Sequence, residues 1–127
     1  AMVDVCLRLG VDGLSLQGNG RTEDPRLGTV KGSLAGKPAL PDTLRITREV
    51  AERCEGRLAI RVSGGVFTGR DAAEVLRAGA NAVEFYTAFV YRGWGAAGMI
   101  ARELDAELEH VGATGPGELH QLRVATT

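Results

Sequence analysis

Short apolar segments alternate with segments of helical periodicity along this chain. Apolar runs cover residues 11–16, 58–62 and 82–86, and each run is followed at once by glycine or polar residues. Such runs predict short buried strands. Between and after them, apolar residues recur every three or four positions, which is typical of helices with one buried stripe. The stripes are formed by Ile46, Val50 and Cys54, by Val75 and Leu76, and by Ile100, Leu104 and Leu108.

Local signals mark where some of these elements begin and end. Thr68 and Asp71 have the spacing of a capping box, which predicts a helix that begins there. Residues 18–40 are rich in glycine and charge and predict a long loop with little regular structure. Residues 113–127 are polar, so we expect a frayed tail behind a folded portion of residues 1–112.

The alternation of strand and helix predicts an α/β fold with parallel strands. Each pair of strands is joined through a helix, which favours β/α units with right-handed crossovers. Three such units fit either a small doubly wound sheet or part of an eight-stranded β/α barrel. A whole barrel needs about 200 residues or more. The 127 residues of this chain can therefore supply only a partial (β/α)8 TIM-barrel.

Composition narrows the classes of partner. The chain has 15 basic and 16 acidic residues and a net charge of −1, which argues against nucleic acid or an anionic membrane. Cys6 and Cys54 lie in amphipathic segments and are expected to pack as small apolar residues. His110 and His120 lack ligands at metal-binding spacing, so no metal is expected. No apolar run approaches the roughly 20 residues of a spanning helix, and we expect a cytoplasmic protein.

Two loops at the ends of predicted strands are candidates for binding an anion. Gly64 and Gly65 follow the second strand, and Tyr86 and Thr87 close the third. Glycine allows backbone N–H groups to converge on a phosphate, and the helix that begins near Gly69 would add a partial positive charge. The alternative is that the glycines only form a tight turn. Spacing alone leaves both interpretations open.

Arg61 and Glu84 are charged residues inside otherwise apolar predicted strands. An unpaired charge buried in a parallel sheet would be costly. We therefore hypothesise that the two strands are neighbours and that Arg61 pairs with Glu84. The alternative is that one or both side chains face solvent because the sheet is incomplete.

Three segments in the second half of the chain carry a family resemblance. Residues 62–72 read Val-Ser-Gly-Gly-Val-Phe-Thr-Gly-Arg-Asp-Ala, residues 77–80 read Arg-Ala-Gly-Ala, and residues 83–93 read Val-Glu-Phe-Tyr-Thr-Ala-Phe-Val-Tyr-Arg-Gly. This ordered set resembles the dihydroorotate dehydrogenases. The tyrosine-threonine pair within it is similar to that of the quinone-linked class. Residues 10–14 and 33–40 also resemble that family, in the same order and at similar separations.

The resemblance implies the C-terminal portion of a flavoenzyme of pyrimidine biosynthesis. Such an oxidoreductase is a β/α barrel that oxidises dihydroorotate to orotate through FMN and passes electrons to a quinone. Carried over by position, the resemblance assigns the phosphate and ribityl region of FMN to Gly36, Gly65, Tyr86 and Thr87, with Gly64 shaping the same loop.

The chain also departs from the family pattern. Where the family has a threonine-asparagine-threonine-threonine run, residues 17–20 read Gln-Gly-Asn-Gly, which leaves Asn19 as the candidate contact to orotate or dihydroorotate. Glu84 stands where glutamine is usual, and Arg61 replaces an apolar residue. The catalytic base and the flavin-facing lysine belong to earlier barrel strands in the family. No catalytic residue is therefore assigned here.

These features lead to three competing expectations. The first is a portion of a dihydroorotate dehydrogenase that is inactive in isolation and self-associates to cover its sheet edges. The second is a natural half-barrel that binds a phosphorylated ligand, or acts in assembly, without redox chemistry. The third is a different barrel enzyme that shares only the phosphate loops.

Overall fold

A computed structural model of the protein describes residues 2–23, 26, 28 and 31–124, without the side chains of 121–124. The helices and strands within these residues are Met2–Leu9 (α1), Gly13–Gln17 (β1), Gly20–Glu23 (β2), Lys31–Leu34 (β3), Leu40–Cys54 (α2), Ala59–Ser63 (β4), Gly69–Arg77 (α3), Ala82–Glu84 (β5), Thr87–Arg92 (α4), Ala96–Val111 (α5) and Pro116–Val124 (α6). A 3-10 turn, Lys37–Ala39, precedes α2.

The main sheet has three parallel strands in the order β1, β4, β5. Val62 lies opposite Leu16 on one side and Val83 on the other, so the carboxyl ends of all three strands reach the same edge. This arrangement confirms the α/β architecture predicted from the alternating pattern. It also brings the loops that follow the three strands close together.

One face of this sheet forms the core. Ile60 and Val62 of β4 are fully buried, and Leu14, Leu16 and Val83 pack in the same cluster. Burying one such side chain contributes about 1.5–3 kcal/mol. Helices α2 and α3 cover this face, α1 packs on α2, and α5 and α6 pack on α3. The other face is exposed and carries the polar positions of the strands.

The charged pair within the strands lies on that exposed face. Arg61 Nη1 is 3.2 Å from Glu84 Oε1, which confirms the predicted pairing of neighbouring strands. Arg61 also donates to the hydroxyl of Ser15 on β1. The two charged side chains are 57% and 46% exposed, so the solvent-facing alternative holds as well. Both interpretations were correct because an incomplete sheet exposes its polar face.

The capping box at the start of α3 forms as predicted. The Thr68 hydroxyl accepts from the Asp71 N–H, and the Asp71 carboxylate accepts from the Thr68 N–H. These bonds satisfy amides that have no partner within the helix. Leu76 and Val75 then bury one side of α3 against the core.

The expectation of little regular structure in residues 18–40 was wrong. Strands β2 and β3 form an antiparallel pair with Gly20 opposite Leu34 and Glu23 opposite Lys31. The pair is separate from the main sheet. Its strands are short and mostly polar, so the sequence has no alternation of apolar residues from which they could be predicted.

Other boundaries differ from those expected. The third strand ends at Glu84 and not at Tyr86, and a short helix, α4, follows it. The residues after Gly112 were expected to be frayed, but Pro116–Val124 form α6 and Leu119 is fully buried. The segment is mostly polar, and its two leucines, Leu119 and Leu122, are too few to give a periodic signal, which explains the error. None of the helices described is long and apolar enough to cross a membrane.

The buried stripe of α2 is more polar than expected. Ile46 and Val50 are half-buried, whereas Thr43 and Thr47 are fully buried together with Cys54. The Thr43 hydroxyl donates to the backbone just after β4, and the Thr47 hydroxyl donates to the Thr43 carbonyl within α2. Cys54 packs in the core, as predicted.

Candidate functional site

A cavity of about 160 Å³ lies at the carboxyl ends of the parallel strands. It is formed by the loops that follow β1, β3, β4 and β5. Every residue that the sequence suggested as a binding residue lines it. The lining consists of Gln17, Gly18, Asn19, Ala35, Gly36, Ala39, Ser63, Gly64, Gly65, Val66, Phe67, Tyr86 and Thr87.

The loop after β4 can be formed only by glycine. Gly64 and Gly65 have φ angles of +115° and +80°, in the left-handed region that other residues avoid. A Cβ on Gly64 would lie 2.7 Å from the Gly18 carbonyl oxygen, and one on Gly65 would lie 2.7 Å from Cα of Leu40. Among the described residues, no acceptor meets the N–H of Gly64 or Gly65. The loop thus combines close packing with backbone donors that are free to bind a ligand.

The loops after β3 and β5 meet on the opposite wall. Gly36 has a φ of +82°, and a Cβ there would lie 3.1 Å from Cγ2 of Thr87 and 3.6 Å from Phe67. This contact joins two segments that are 51 residues apart in the chain. The Gly64–Gly65 loop and Thr87 therefore line one cavity, as the phosphate hypothesis requires.

Thr43, on α2, holds the Gly64–Gly65 loop in place, and the sequence analysis did not identify it. Its hydroxyl is fully buried and lies 2.7 Å from the Gly64 carbonyl oxygen and 3.0 Å from that of Ala39. The bond to Gly64 ties α2 to the loop that carries the free amides. A pair of threonines four residues apart on the buried side of a helix, as at 43 and 47, was the available signal.

Asp71, outside the cavity lining, bonds to several groups around the loop between β4 and α3. Its Oδ2 accepts from the N–H groups of Phe67 and Thr68 at 2.9 and 3.0 Å, and its Oδ1 pairs with the ammonium of Lys37. Burial would raise the pKa of this carboxyl, but the hydrogen bonds from Lys37 and Phe67 outweigh it and hold the pKa below its ordinary value. Asp71 is therefore charged and orders the loop between Gly65 and α3.

A second ionic group, formed between α4 and α5, supports the same loop. Arg92 donates to the Phe67 carbonyl oxygen at 2.6 Å and pairs with Glu103. Glu103 also accepts from the Gly69 N–H at 2.8 Å. The hydrogen bonds from Arg92 and then Gly69 lower the pKa of Glu103. The loop between β4 and α3 is thus held from both sides.

This network limits the direct donors that the first turn of α3 can offer. The N–H of Gly69 donates to Glu103, and the N–H of Asp71 donates to Thr68. These two amides of the first turn are already paired within the protein. They are not available to donate to an anion in the cavity, whereas the N–H groups of Gly64 and Gly65 are.

Asn19 and Tyr86 lie at the rim. The backbone N–H of Asn19 donates to Asp42 at 3.1 Å, which leaves the exposed side chain free to face a ligand. The hydrogen bond from Arg45 and then that from the Asn19 amide lower the pKa of Asp42. The Tyr86 side chain is 83% exposed beside the cavity. Both residues lie where a ligand longer than the cavity would leave it.

More of the cavity lining is apolar than polar. Among the described lining residues none carries a formal charge, so a bound anion would be held by amide and hydroxyl donors. Within residues 2–23, 26, 28 and 31–124, no group of three or more His, Cys, Asp or Glu residues could hold a metal ion. The arrangement is therefore suited to binding and orientation.

Three parallel β/α units with a glycine-lined cavity at the carboxyl ends of their strands define part of a β/α barrel, the face on which such barrels bind their ligands. A family model described as dihydroorotate dehydrogenase matches residues 11–108. The chain belongs to the dihydroorotate dehydrogenase family, whose members are flavoenzymes. This finding confirms the relationship predicted from the sequence segments.

Individual relatives agree with this family. Over 77 residues the chain is 46% identical to a dihydroorotate dehydrogenase (quinone) of Cereibacter sphaeroides strain KD131, covering 61% of this chain and 22% of the relative. Over 114 residues it is 36% identical to that of Streptomyces coelicolor, covering 80% and 31%. The chain thus spans a third or less of the length of these relatives.

Solved structures give the same result for the fold. The ligand-free enzyme from Eimeria tenella matches with a TM-score of 0.82 and 32% identity, covering 93% of this chain and 34% of that chain. The complex of that enzyme with ferulenol matches with a TM-score of 0.80 and 32% identity, covering 93% and 32%. The partial β/α barrel predicted from the sequence is therefore confirmed.

Proposed function

We propose that the cavity binds the phosphate and adjoining ribityl chain of FMN within a dihydroorotate dehydrogenase. Gly36, Gly65, Tyr86 and Thr87 contact this end of the cofactor, and Gly64 shapes the loop. The observation that supports this proposal is the convergence of all these residues, from three separate loops, on one cavity.

The size and chemistry of the cavity support binding of one end of the cofactor only. Pockets that enclose a whole drug-sized ligand measure about 300–1,000 Å³, whereas this cavity measures about 160 Å³. The unpaired backbone N–H groups of Gly64 and Gly65 are suited to donating hydrogen bonds to an oxyanion. The isoalloxazine ring would then extend past the rim, where the rest of a barrel covers it.

The residues of this chain position the cofactor, and FMN supplies the acceptor chemistry for oxidation of dihydroorotate to orotate. Asn19, at the rim, is the residue placed to contact orotate or dihydroorotate. The described lining residues include no carboxylate, histidine or lysine that could act as a base. We therefore assign binding and orientation to residues 1–112 and no proton transfer.

Quenching of flavin fluorescence tests the proposal. The chain should bind FMN at least tenfold more tightly than riboflavin, because only FMN has the phosphate that the amides would hold. Thr87→Val should reduce this preference, and Thr114→Val, on a remote loop, should not. Equal affinity of the unchanged chain for FMN and riboflavin would contradict the phosphate assignment.

The sheet itself supports a proposal of self-association. Within the described residues, β1 and β5 each pair on one side only, and the face that carries Arg61 and Glu84 is exposed. Open strand edges favour pairing with another chain. We expect dimers or larger species in sedimentation velocity at micromolar concentration, and a sharp monomer peak would count against this proposal.

A further inference from the structure

The segment between β3 and α2 reaches the cavity without belonging to the main sheet. β3 pairs with β2 alone, so ladder hydrogen bonds do not fix the position of Gly36 relative to Gly65. The contacts that hold Gly36 are the bond from the Ala39 N–H to its carbonyl oxygen at 2.9 Å and the packing on Thr87. One ionic contact adds to these, and it is made by the next residue, Lys37.

Lys37 turns away from the cavity. A lysine between two phosphate-binding loops would be expected to contact the phosphate directly, but Lys37 does not line the cavity. Its ammonium pairs instead with Asp71, whose side chain is only 7% exposed. The other oxygen of Asp71 holds the amides of Phe67 and Thr68. One carboxylate therefore joins the segment that carries Gly36 to the loop that follows Gly65.

We propose that Lys37 and Asp71 are a positioning pair that sets the distance between the Gly36 segment and the Gly64–Gly65 loop, and so gives the cavity its preference for a phosphorylated flavin. This inference rests on the proposed function. Neither side chain touches the cofactor, and each acts through the backbone next to it.

The affinities of FMN and riboflavin, compared in variants, test this role. Lys37→Met should lower the ratio of the two affinities about tenfold, the effect of losing one hydrogen bond to a charged group. Riboflavin affinity should fall much less, since riboflavin has the ribityl chain but no phosphate. Lys37→Arg keeps the charge and the donor and should restore the ratio. Arg70→Met removes a cation from an exposed pair on α3 and serves as the matched control.

Asp71→Asn separates positioning from direct contact. If Lys37 were a phosphate ligand held back by Asp71, releasing its ammonium would strengthen FMN binding. Positioning predicts the opposite, a loss similar to that of Lys37→Met. The double variant should lose no more than either single variant, because the two residues act as one unit.

Amide exchange gives a readout that does not need the cofactor. The Ala39 N–H, bonded to Gly36, should exchange several-fold faster in Lys37→Met and at the unchanged rate in Arg70→Met.

If the unchanged chain binds FMN no better than riboflavin, the proposed function and this inference both fail. If it prefers FMN and Lys37→Met keeps that preference, or Asp71→Asn increases it, only the positioning role is overturned.

Discussion

Gly65→Ala is the substitution that most directly tests the geometry of the cavity. Gly65 has a φ of +80°, and an added Cβ would lie 2.7 Å from Cα of Leu40 and 2.8 Å from its Cβ. These contacts are too short for carbon atoms, and they involve backbone at the start of α2. Leu40 is itself 8% exposed and fixed in the core, so it cannot move aside without cost.

The expected cost has two parts. In the folded state, alanine in a left-handed conformation costs about 1–2 kcal/mol of stability. Alanine also makes the unfolded chain less flexible than glycine does, which offsets about 0.4–1 kcal/mol of that loss. Overpacking against rigid neighbours adds about 1–3 kcal/mol. Gly112→Ala isolates the first part, because Gly112 has a φ of +71° and nothing within 4 Å of the added Cβ. The two variants should therefore differ by about 1–3 kcal/mol.

Urea unfolding followed by circular dichroism measures this difference. With a slope of about 1–3 kcal/mol per molar urea, the midpoint of Gly65→Ala should lie about 1 M below that of Gly112→Ala. FMN binding should be lost in Gly65→Ala alone. Equal midpoints would show that the loop does not pack on α2 as described, and the cavity would then need another explanation.

Three further outcomes are expected. Thr43→Val should destabilise the protein by about 1–3 kcal/mol, because it leaves the partly buried Gly64 carbonyl without its donor. Thr47 is equally buried, but Thr47→Val should cost less because the carbonyl that Thr47 bonds lies within the same helix. Equal urea midpoints for the two variants would contradict this difference. Folding lowers the pKa of Asp71 from its ordinary value of 3.8, so the unfolded state binds more protons below that pH. The contribution of Asp71 to stability should therefore be retained above that value and lost as pH falls below it, and Asp71→Asn should reduce this pH dependence in urea titrations. A double-mutant cycle of Arg61→Met and Glu84→Gln should give a coupling of about 0.2–1 kcal/mol, as for exposed pairs; a value near 3 kcal/mol would mean that the pair is buried in solution.

Much of the fold could be predicted because its signals are local. Each buried strand is an apolar run that ends in polar or glycine residues, and the capping box of Thr68 and Asp71 lies within four residues. The glycines of the cavity could be identified for the same reason. A positive φ at Gly64 and Gly65 leaves few alternatives to glycine, so the backbone requirement is visible in the sequence.

The remaining features depend on tertiary contacts that leave no local pattern. The β2–β3 pair has mostly polar residues, and α6 lies in a mostly polar segment in which Leu119 is fully buried. The roles of Thr43 and Lys37 arise only when α2 and α3 are brought together with the glycine loop. A sequence pattern identifies which residues a loop requires, whereas the supports behind the loop come from elements distant in the chain.

The proposed phosphate end of the site can form in this chain because most of its wall follows neighbouring strands. β1 and β5 are each hydrogen-bonded to β4, and the loops after these three strands meet the loop after β3 at the cavity. The rim at Asn19 and Tyr86 is exposed by contrast, so contacts to a flavin ring or a substrate there would require surfaces beyond the described residues. The two ends of the site should therefore separate experimentally. Preference for FMN over riboflavin should survive in this chain, whereas tight binding of orotate should not.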